Sequence, residues 1–380
     1  MSTGGAENVT YVWETGNWPH WRWDAARIEA PLAAARHRQG WLLGRMQAMG
    51  FALQREAALG TMTQDVVTTS AIEGETLNRE QVRSSLARRL GMDAGGVPVT
   101  QRGIDGIVEV TLDAVFRHAA PLTAERLSGW HAALFPTGYS GMRRIRVGGW
   151  RRPEDGPMEI VSGPIGGERV HYEAPPAERL GREMAAFLDW FESEDGIDPV
   201  LRAALAHLWF VTIHPFEDGN GRIARAISDL ALARSERTDH RFYSLSASIR
   251  ADRDAYYAVL EATQKGDGDV TDWLGWFLGR LAHAIAEAGG TVGGVLRKAA
   301  FWERHRASGF NERQIKVLNR LLDGGFDGRL TSSEWAKLTK SSQDTATRDL
   351  KDLVEKGALR PGDGGGRSTH YVLVQPGDDA

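Results

Sequence analysis

The sequence predicts a mostly helical protein with one short β-hairpin and a small C-terminal module of helices and strands. Three observations lead there. Apolar residues recur at three- and four-residue spacing through most of the chain. One segment, residues 139–176, breaks that rhythm with short alternating stretches around a Gly/Pro turn. From residue 311 onward, three short amphipathic stretches precede two strand-like ones.

In chain order, "DAARIEAPLAAARHRQGWLLGRMQAM" and "REAALGTMTQDVVTTSAIEGE" predict an N-terminal helical region reaching to about Leu90. Trp13, Trp18, Trp21 and Trp23 precede it, and read as an aromatic cluster that seats the N-terminal segment on the core. A Gly/Pro hinge is expected at 91–99. Helices resume near Gln101 with "GIVEVTLDAVFRHAA" and "LTAERLSGWHAALFP", the latter without a strict capping register at Thr123, and lead to a buried helix at 199–213. Between them, "MEIVSGPIGGERVHYEAPP" predicts strands at 158–162 and 169–172. Glycines at 289–295 suggest a second hinge before "NERQIKVLNRLLDG", "TSSEWAKLT", "SQDTATRDLKDLVEKG" and "ALRPGDGGGRSTHYVLV", whose helix and strand order is that of a winged helix-turn-helix. The expected division is 1–98, 99–288, a linker helix at 289–310, and 311–380.

The chain has 380 residues, 42% of them hydrophobic and 25% charged, with a net charge of -4, an ordinary globular balance that gives no global argument for nucleic acid or membrane. It has no cysteine, which removes disulfides, thiolate nucleophiles and cysteine-bound zinc. With no signal-like N-terminus and no apolar run of transmembrane length, the expectation is a cytoplasmic protein without a membrane partner.

The stretch "HPFEDGNGRIAR", residues 214–225, carries the densest chemistry. Gly219, Asn220 and Gly221 lie between a buried helix and a second helical pattern, so their backbone N–H groups form an anion nest reinforced by the helix dipole. Arg222 and Arg225 sit in the first turn, where cations are unfavourable unless something negative is bound. Phosphate satisfies that condition through bidentate guanidinium contacts. Asp218 offers an oxygen ligand of the kind Mg²⁺ takes beside phosphates, and His214 offers a base near neutral pH.

This stretch resembles the signature of the Fic family, H-x-F-x-(D/E)-G-N-G-R-x-x-R, at His214, Phe216, Asp218, Gly219, Asn220, Gly221, Arg222 and Arg225. The resemblance implies a helical Fic fold with a β-hairpin flap, and transfer of AMP from ATP to a Ser, Thr or Tyr hydroxyl of a protein target. By position it makes His214 the general base and Asp218 the Mg²⁺ ligand, places Gly219, Asn220 and Gly221 on the α-phosphate, and places Arg222 and Arg225 on the β- and γ-phosphates. Phe216 would be a buried anchor, and the hairpin at 158–172 would pair with an extended stretch of the target. Tyr243, Tyr256 and Tyr257 stand either near the adenine or ribose or in helix packing.

Thr69, Glu73 and Gly74 fit (S/T)-x-x-x-E-(G/N), the family's inhibitory helix, here N-terminal to the signature in the arrangement called class II. The resemblance implies that Glu73 pairs with Arg225 in place of the γ-phosphate. Removal of AMP by the same site is the alternative activity. A DNA-binding regulator is the alternative of another class, offered by Ser341, Ser342, Gln343, Thr345, Thr347 and Arg348 at the start of the presumed recognition helix. Asp344, Asp349, Asp352 and Glu355 on that helix favour protein docking or homodimer formation instead. The basic run at Arg143, Arg144, Arg146, Arg151 and Arg152 reads as a solvated face, with none of its members assigned to the site.

Overall fold

Helix-forming stretches bounded by capping residues and glycines set the architecture, and the computed structural model describes it at residues 10–92, 102–163, 167, 169–322, 330–362 and 370–374. Five helices come first: α1 (Ala25–Gln47), α2 (Phe51–Ile72), α3 (Arg79–Arg89), α4 (Arg102–Phe116) and α5 (Ala124–Leu134). Two antiparallel pairs follow, β1 (Tyr139–Ser140) with β2 (Arg143–Arg144) and β3 (Glu159–Ser162) with β4 (Arg169–Glu173). Then come α6 (Leu180–Glu192), α7 (Pro199–Ile213), α8 (Asn220–Glu236), α9 (Leu245–Ala251), α10 (Arg253–Gln264) and α11 (Thr271–Arg304). The chain ends in α12 (Glu312–Leu322), α13 (Ser332–Thr339), α14 (Gln343–Glu355) and the antiparallel pair β5 (Leu359–Pro361) and β6 (Tyr371–Leu373).

The chain divides into two units, Met1–Ala288 and Gly289–Ala380. In the first, α7 and α8 are the central pair, with α2, α4 and α5 packed on α8 and α6 on α7. Helix α7 starts at Asp198, whose carboxylate accepts from Val200 N at 2.8 Å, and Pro199 sits where a missing N–H costs nothing. Its apolar run is buried on all sides, which is why it shows no amphipathic stripe. Trp209 on α7 receives Trp18 and Trp21 edge-on at 6.1 and 6.4 Å, while Trp13 packs with Tyr172 and Ala174. Trp18 also packs against the Trp13 group, so Trp13, Trp18 and Trp21 form one connected aromatic cluster on the core.

Two local expectations change. Thr123 does cap α5, its hydroxyl accepting from Arg126 N at 3.2 Å. The glycines at 289–295 lie inside α11, where the division between the two units falls. Each costs about 1 kcal/mol relative to alanine, too little to break a helix propagated from strong formers on both sides. The hinge expected at 91–99 lies outside the described residues beyond Met92, as does the turn between β5 and β6. Among the described residues no helix is long and apolar enough to cross a membrane.

The second unit has its own core of Val317, Leu318, Leu330, Trp335, Leu350 and Leu353, with Trp335 fully buried. Cutting this side chain back leaves a cavity among them. Trp335→Ala is expected to lower the stability of this unit by about 3–5 kcal/mol, read as a lower denaturant midpoint of its unfolding transition.

Candidate active site

Helix α7 ends abruptly because His214 adopts a left-handed conformation, φ 49°, ψ 59°, which non-glycine residues rarely occupy. Its N–H still reaches Phe210 O at 3.0 Å, and its carbonyl accepts from Arg151 Nε at 2.9 Å. The Arg151 backbone N–H also donates to Pro215 O at 2.9 Å. Arg151 is buried, and with its second guanidinium nitrogen on Pro175 O it braces the turn that presents the imidazole. Within the basic run it stands apart only in three dimensions, since nothing local marks one arginine among five as the buried one.

His214 Nδ1 lies 3.2 Å from Val211 O. A carbonyl only accepts, so Nδ1 carries the proton and Nε2 keeps its lone pair. Burial pulls the imidazole down to about 4; the Val211 hydrogen bond and the Glu73 and Asp218 carboxylates oppose this, and the Arg151 charge adds to it. The half-buried ring is therefore neutral at physiological pH and able to accept a proton.

The turn from His214 to α8 is held from inside. Phe216 is fully buried and stacks on His131 with centroids 4.1 Å apart. Asn220 clamps the turn shut: its Nδ2 donates to Phe216 O at 2.8 Å and its Oδ1 accepts from Phe216 N at 3.0 Å. The asparagine amide is thus engaged with the backbone, which leaves its main-chain N–H for an anion. Gly219 is left-handed, φ 79°, and a Cβ there would stand 2.8 Å from the Phe135 ring. Asp218 accepts from Gly219 N at 2.5 Å and from the Ser140 hydroxyl, and is partly exposed. The first turn of α8 then opens with Asn220, Gly221 and Arg222, whose N–H groups have no partner within the helix by construction.

Arg222 and Arg225 meet carboxylates from the end of α2. Arg225 donates from Nε to Thr69 Oγ1 at 2.6 Å, and from Nη2 to Thr69 O at 3.0 Å and Glu73 Oε1 at 2.7 Å. Burial works against its charge, but the Glu73 carboxylate outweighs this and raises its pKa. Arg222 donates to Glu75 Oε2 at 3.0 Å and lies over the Phe135 ring at 5.0 Å. Both guanidinium groups are nearly buried, and Arg225 Nη1 and Arg222 Nε have no hydrogen-bond partner among the described residues.

Local sequence explains the aim of α2. Gly74, φ 86°, ends the helix with Gly74 N on Ala71 O at 3.2 Å and Glu75 N on Ser70 O at 3.0 Å, the two bonds of a Schellman motif. Thr69 and Glu73, four residues apart, share one face. Glu75 emerges after the reversal onto the neighbouring arginine. A Cβ at Gly221 would run into the Glu73 carboxylate.

Glu73, His214 and Gly221 line one cleft of about 680 Å³, closed on other sides by Ile160, His171 and Tyr257. Thr69, Glu73 and the signature residues from His214 to Arg225 therefore gather around the start of α8. Tyr256 and Tyr257 also line the cleft, whereas Tyr243 is buried in a network with Glu236, Gln39 and Arg241. Glu75, Arg151 and Ser140 are the contributors the sequence did not mark.

With that geometry in view, comparison with known proteins gives a consistent result. Residues 121–232 match the Fic/DOC family, and residues 11–92 match a domain of unknown function, DUF4172. A protein adenylyltransferase fic-1 of Caenorhabditis briggsae is 30% identical over 222 residues, 57% of this chain and 40% of the relative. A protein adenylyltransferase Fic of Nematostella vectensis is 40% identical over 101 residues, 26% of this chain and 22% of the relative. The chain thus spans well under half the length of these curated relatives. A crystal structure of a Fic family protein from Desulfovibrio desulfuricans G20 superposes with a TM-score of 0.51 at 23% identity, covering 92% of this chain and 97% of that one, which establishes a shared fold. The chain shares the fold of that Fic family protein, and its residues 121–232 match the Fic/DOC family.

Proposed function

We propose that the chain is a protein adenylyltransferase, moving AMP from ATP to a Ser, Thr or Tyr hydroxyl of a protein target, and that Glu73 restrains it. One observation carries the reading: a single cleft holds an imidazole with its Nε2 lone pair free, a helix N-terminus, and the carboxylate that answers Arg225. A cavity of about 680 Å³ is in the range of nucleotide-sized ligands.

In this reading the backbone N–H groups of Asn220 and Gly221, joined by that of Gly219 once it leaves Asp218, hold the α-phosphate, and the Asn220 side chain keeps their loop preformed. Arg222 and Arg225 take the β- and γ-phosphates once Glu75 and Glu73 give way. His214 Nε2 removes the hydroxyl proton as the target oxygen attacks the α-phosphorus and pyrophosphate departs. The residues present fit Mg²⁺: Asp218 is a partly exposed carboxylate beside the turn, and a protein share of one carboxylate is usual where phosphates supply further ligands. When bound there, the ion would neutralise phosphate charge. Thr69 positions Arg225 rather than touching nucleotide. Glu73 also lines the cleft beside His214, which supports a second reading, removal of AMP with Glu73 orienting water.

For the second unit we propose a winged helix-turn-helix. The acids that argued against DNA are partly engaged internally: Asp349 binds Arg313 and Asn311, and Asp352 binds Gln314 and Lys356. Arg348, Lys351 and Gln343 remain exposed on α14, which supports a DNA contact more than a charge count does.

Four experiments test these readings. Glu73→Gly is expected to raise transfer of labelled AMP by about tenfold or more, and Glu75→Gln to raise it by less. His214→Ala in the Glu73→Gly background lowers it by about 10²–10⁴-fold with ATP binding retained; equal labelling by the parent and Glu73→Gly proteins would remove the brake. Because the His214 base is neutral above about 4, kcat/KM stays level from neutral pH downward and declines as pH falls through about 4 rather than through the ordinary imidazole range. A Gly289–Ala380 fragment shifts duplex DNA in a gel at low salt and releases it at high salt; no shift at low salt eliminates the DNA contact.

A further inference from the structure

The two oxygens of Asp218 are held differently. Oδ1 accepts from Gly219 N at 2.5 Å and lies 3.9 Å from Arg222 Nη2, so it faces the start of α8. Oδ2 accepts from the Ser140 hydroxyl on β1. The terminal torsion of an aspartate is broad, and the Asp218 side chain is 39% exposed, so packing alone does not fix the plane of its carboxylate. Pinning one oxygen settles where the other points.

The hairpin that carries Ser140 is placed for this contact. β1 and β2 pair Tyr139 with Arg144 and Ser140 with Arg143 around a two-residue loop, in which Gly141 supplies the positive φ, 56°, that such a loop needs. So short a hairpin is not stable by itself, and of residues 139–146 only Ile145 is buried. Polar bonds to the signature turn supply the remaining support. Arg143 Nη2 donates to Glu217 O at 3.0 Å and Arg146 N donates to Glu217 Oε1 at 2.8 Å. With Glu217 gripped by backbone and side chain, Ser140 falls on the carboxylate of the next residue.

We propose that Ser140 is a positioning residue of the divalent-cation site, its hydroxyl holding Oδ2 of Asp218 so that Oδ1 is presented toward the nucleotide phosphates. The proposal rests on the reading above, in which Asp218 takes Mg²⁺. Oδ1 is the oxygen that changes partner there, from Gly219 N to the ion, and the amide it leaves is one that the α-phosphate takes. Oδ2 keeps its partner throughout. Mg²⁺ demands near-ideal octahedral ligand directions, and a hydrogen-bonding group behind a ligating carboxylate contributes about 10–100-fold in metal affinity. Ser140 touches neither ion nor nucleotide and acts through Asp218.

The test reads ion binding without turnover. The full chain carrying Glu73→Gly is saturated with an ATP analogue whose α- and β-phosphorus are bridged by methylene, Mn²⁺ stands in for Mg²⁺, and the bound ion is followed by water proton relaxation. Ser140→Ala is expected to weaken Mn²⁺ binding by about tenfold or more, while the metal-free affinity for the analogue and the thermal midpoint match the parent. Ser140→Thr, which keeps the hydroxyl, holds the parent affinity. In an Asp218→Asn background Ser140→Ala costs far less, because the two residues act as one unit. Mn²⁺ affinity unchanged in Ser140→Ala overturns the proposal. So does a loss of the same size with and without Asp218, or a loss matched by an equal fall in metal-free nucleotide affinity. Transfer of labelled AMP, measured on the same proteins with ATP and Mg²⁺, separates the two readings. Transfer with an ion affinity indifferent to Ser140 overturns only the proposal, and Ser140-dependent ion binding without any transfer overturns only the transferase reading.

Discussion

A buried guanidinium organises this molecule. Arg225 lies in the second turn of α8, near the positive end of a helix dipole, with almost no exposure to water. Leaving such a charge unanswered costs several kcal/mol, so an anion must stand against it. The chain supplies one from α2, and the surrounding details follow from that need. Thr69 takes one edge of the guanidinium by hydroxyl and carbonyl, Glu73 takes another, and Gly221 lacks the side chain that would keep the carboxylate away.

The same economy governs the turn before α8. His214 is held in a left-handed conformation by an arginine that has no polar contact with the imidazole itself, and the loop after it is tied by one asparagine amide to one backbone unit. Strain of about 1–3 kcal/mol at such a residue persists only where neighbours over-determine it. Here the fully buried Phe216, stacked on His131, supplies the fixed point. Backbone donors and imidazole are thereby oriented before any ligand arrives, so their alignment costs nothing at the moment of binding.

Much of this was legible in the sequence, and the reasons differ by residue. Helices α2, α7 and α8 follow from apolar spacing, and the residues from His214 to Arg225 are contiguous, so their grouping needs only one turn. Thr69 and Glu73 were legible only through their resemblance to the family's inhibitory motif; their i,i+4 spacing on one helical face and the stop at Gly74 are what the structure adds. Arg151 was not legible, because its burial depends on a turn brought from elsewhere in the chain. Glu75 was missed for a related reason: its direction is fixed by the chain reversal at Gly74 and not by helical periodicity. Ser140 was not legible either, because its place beside Asp218 depends on a short hairpin held to the signature turn through Arg143 and Arg146. The glycines at 289–295 are helical because glycine content lowers helix propensity without abolishing it.

A side chain at Gly221 would collide with the Glu73 carboxylate that lies on Arg225; in the proposed reading that carboxylate is a tethered competitor whose effective concentration an incoming anion must overcome. Its strength is then a property of the last turn of α2. Whatever frays that turn weakens the competitor without altering the cleft, and whatever stiffens it does the reverse. The threshold at which this protein yields its guanidinium is written in the local stability of a helix end.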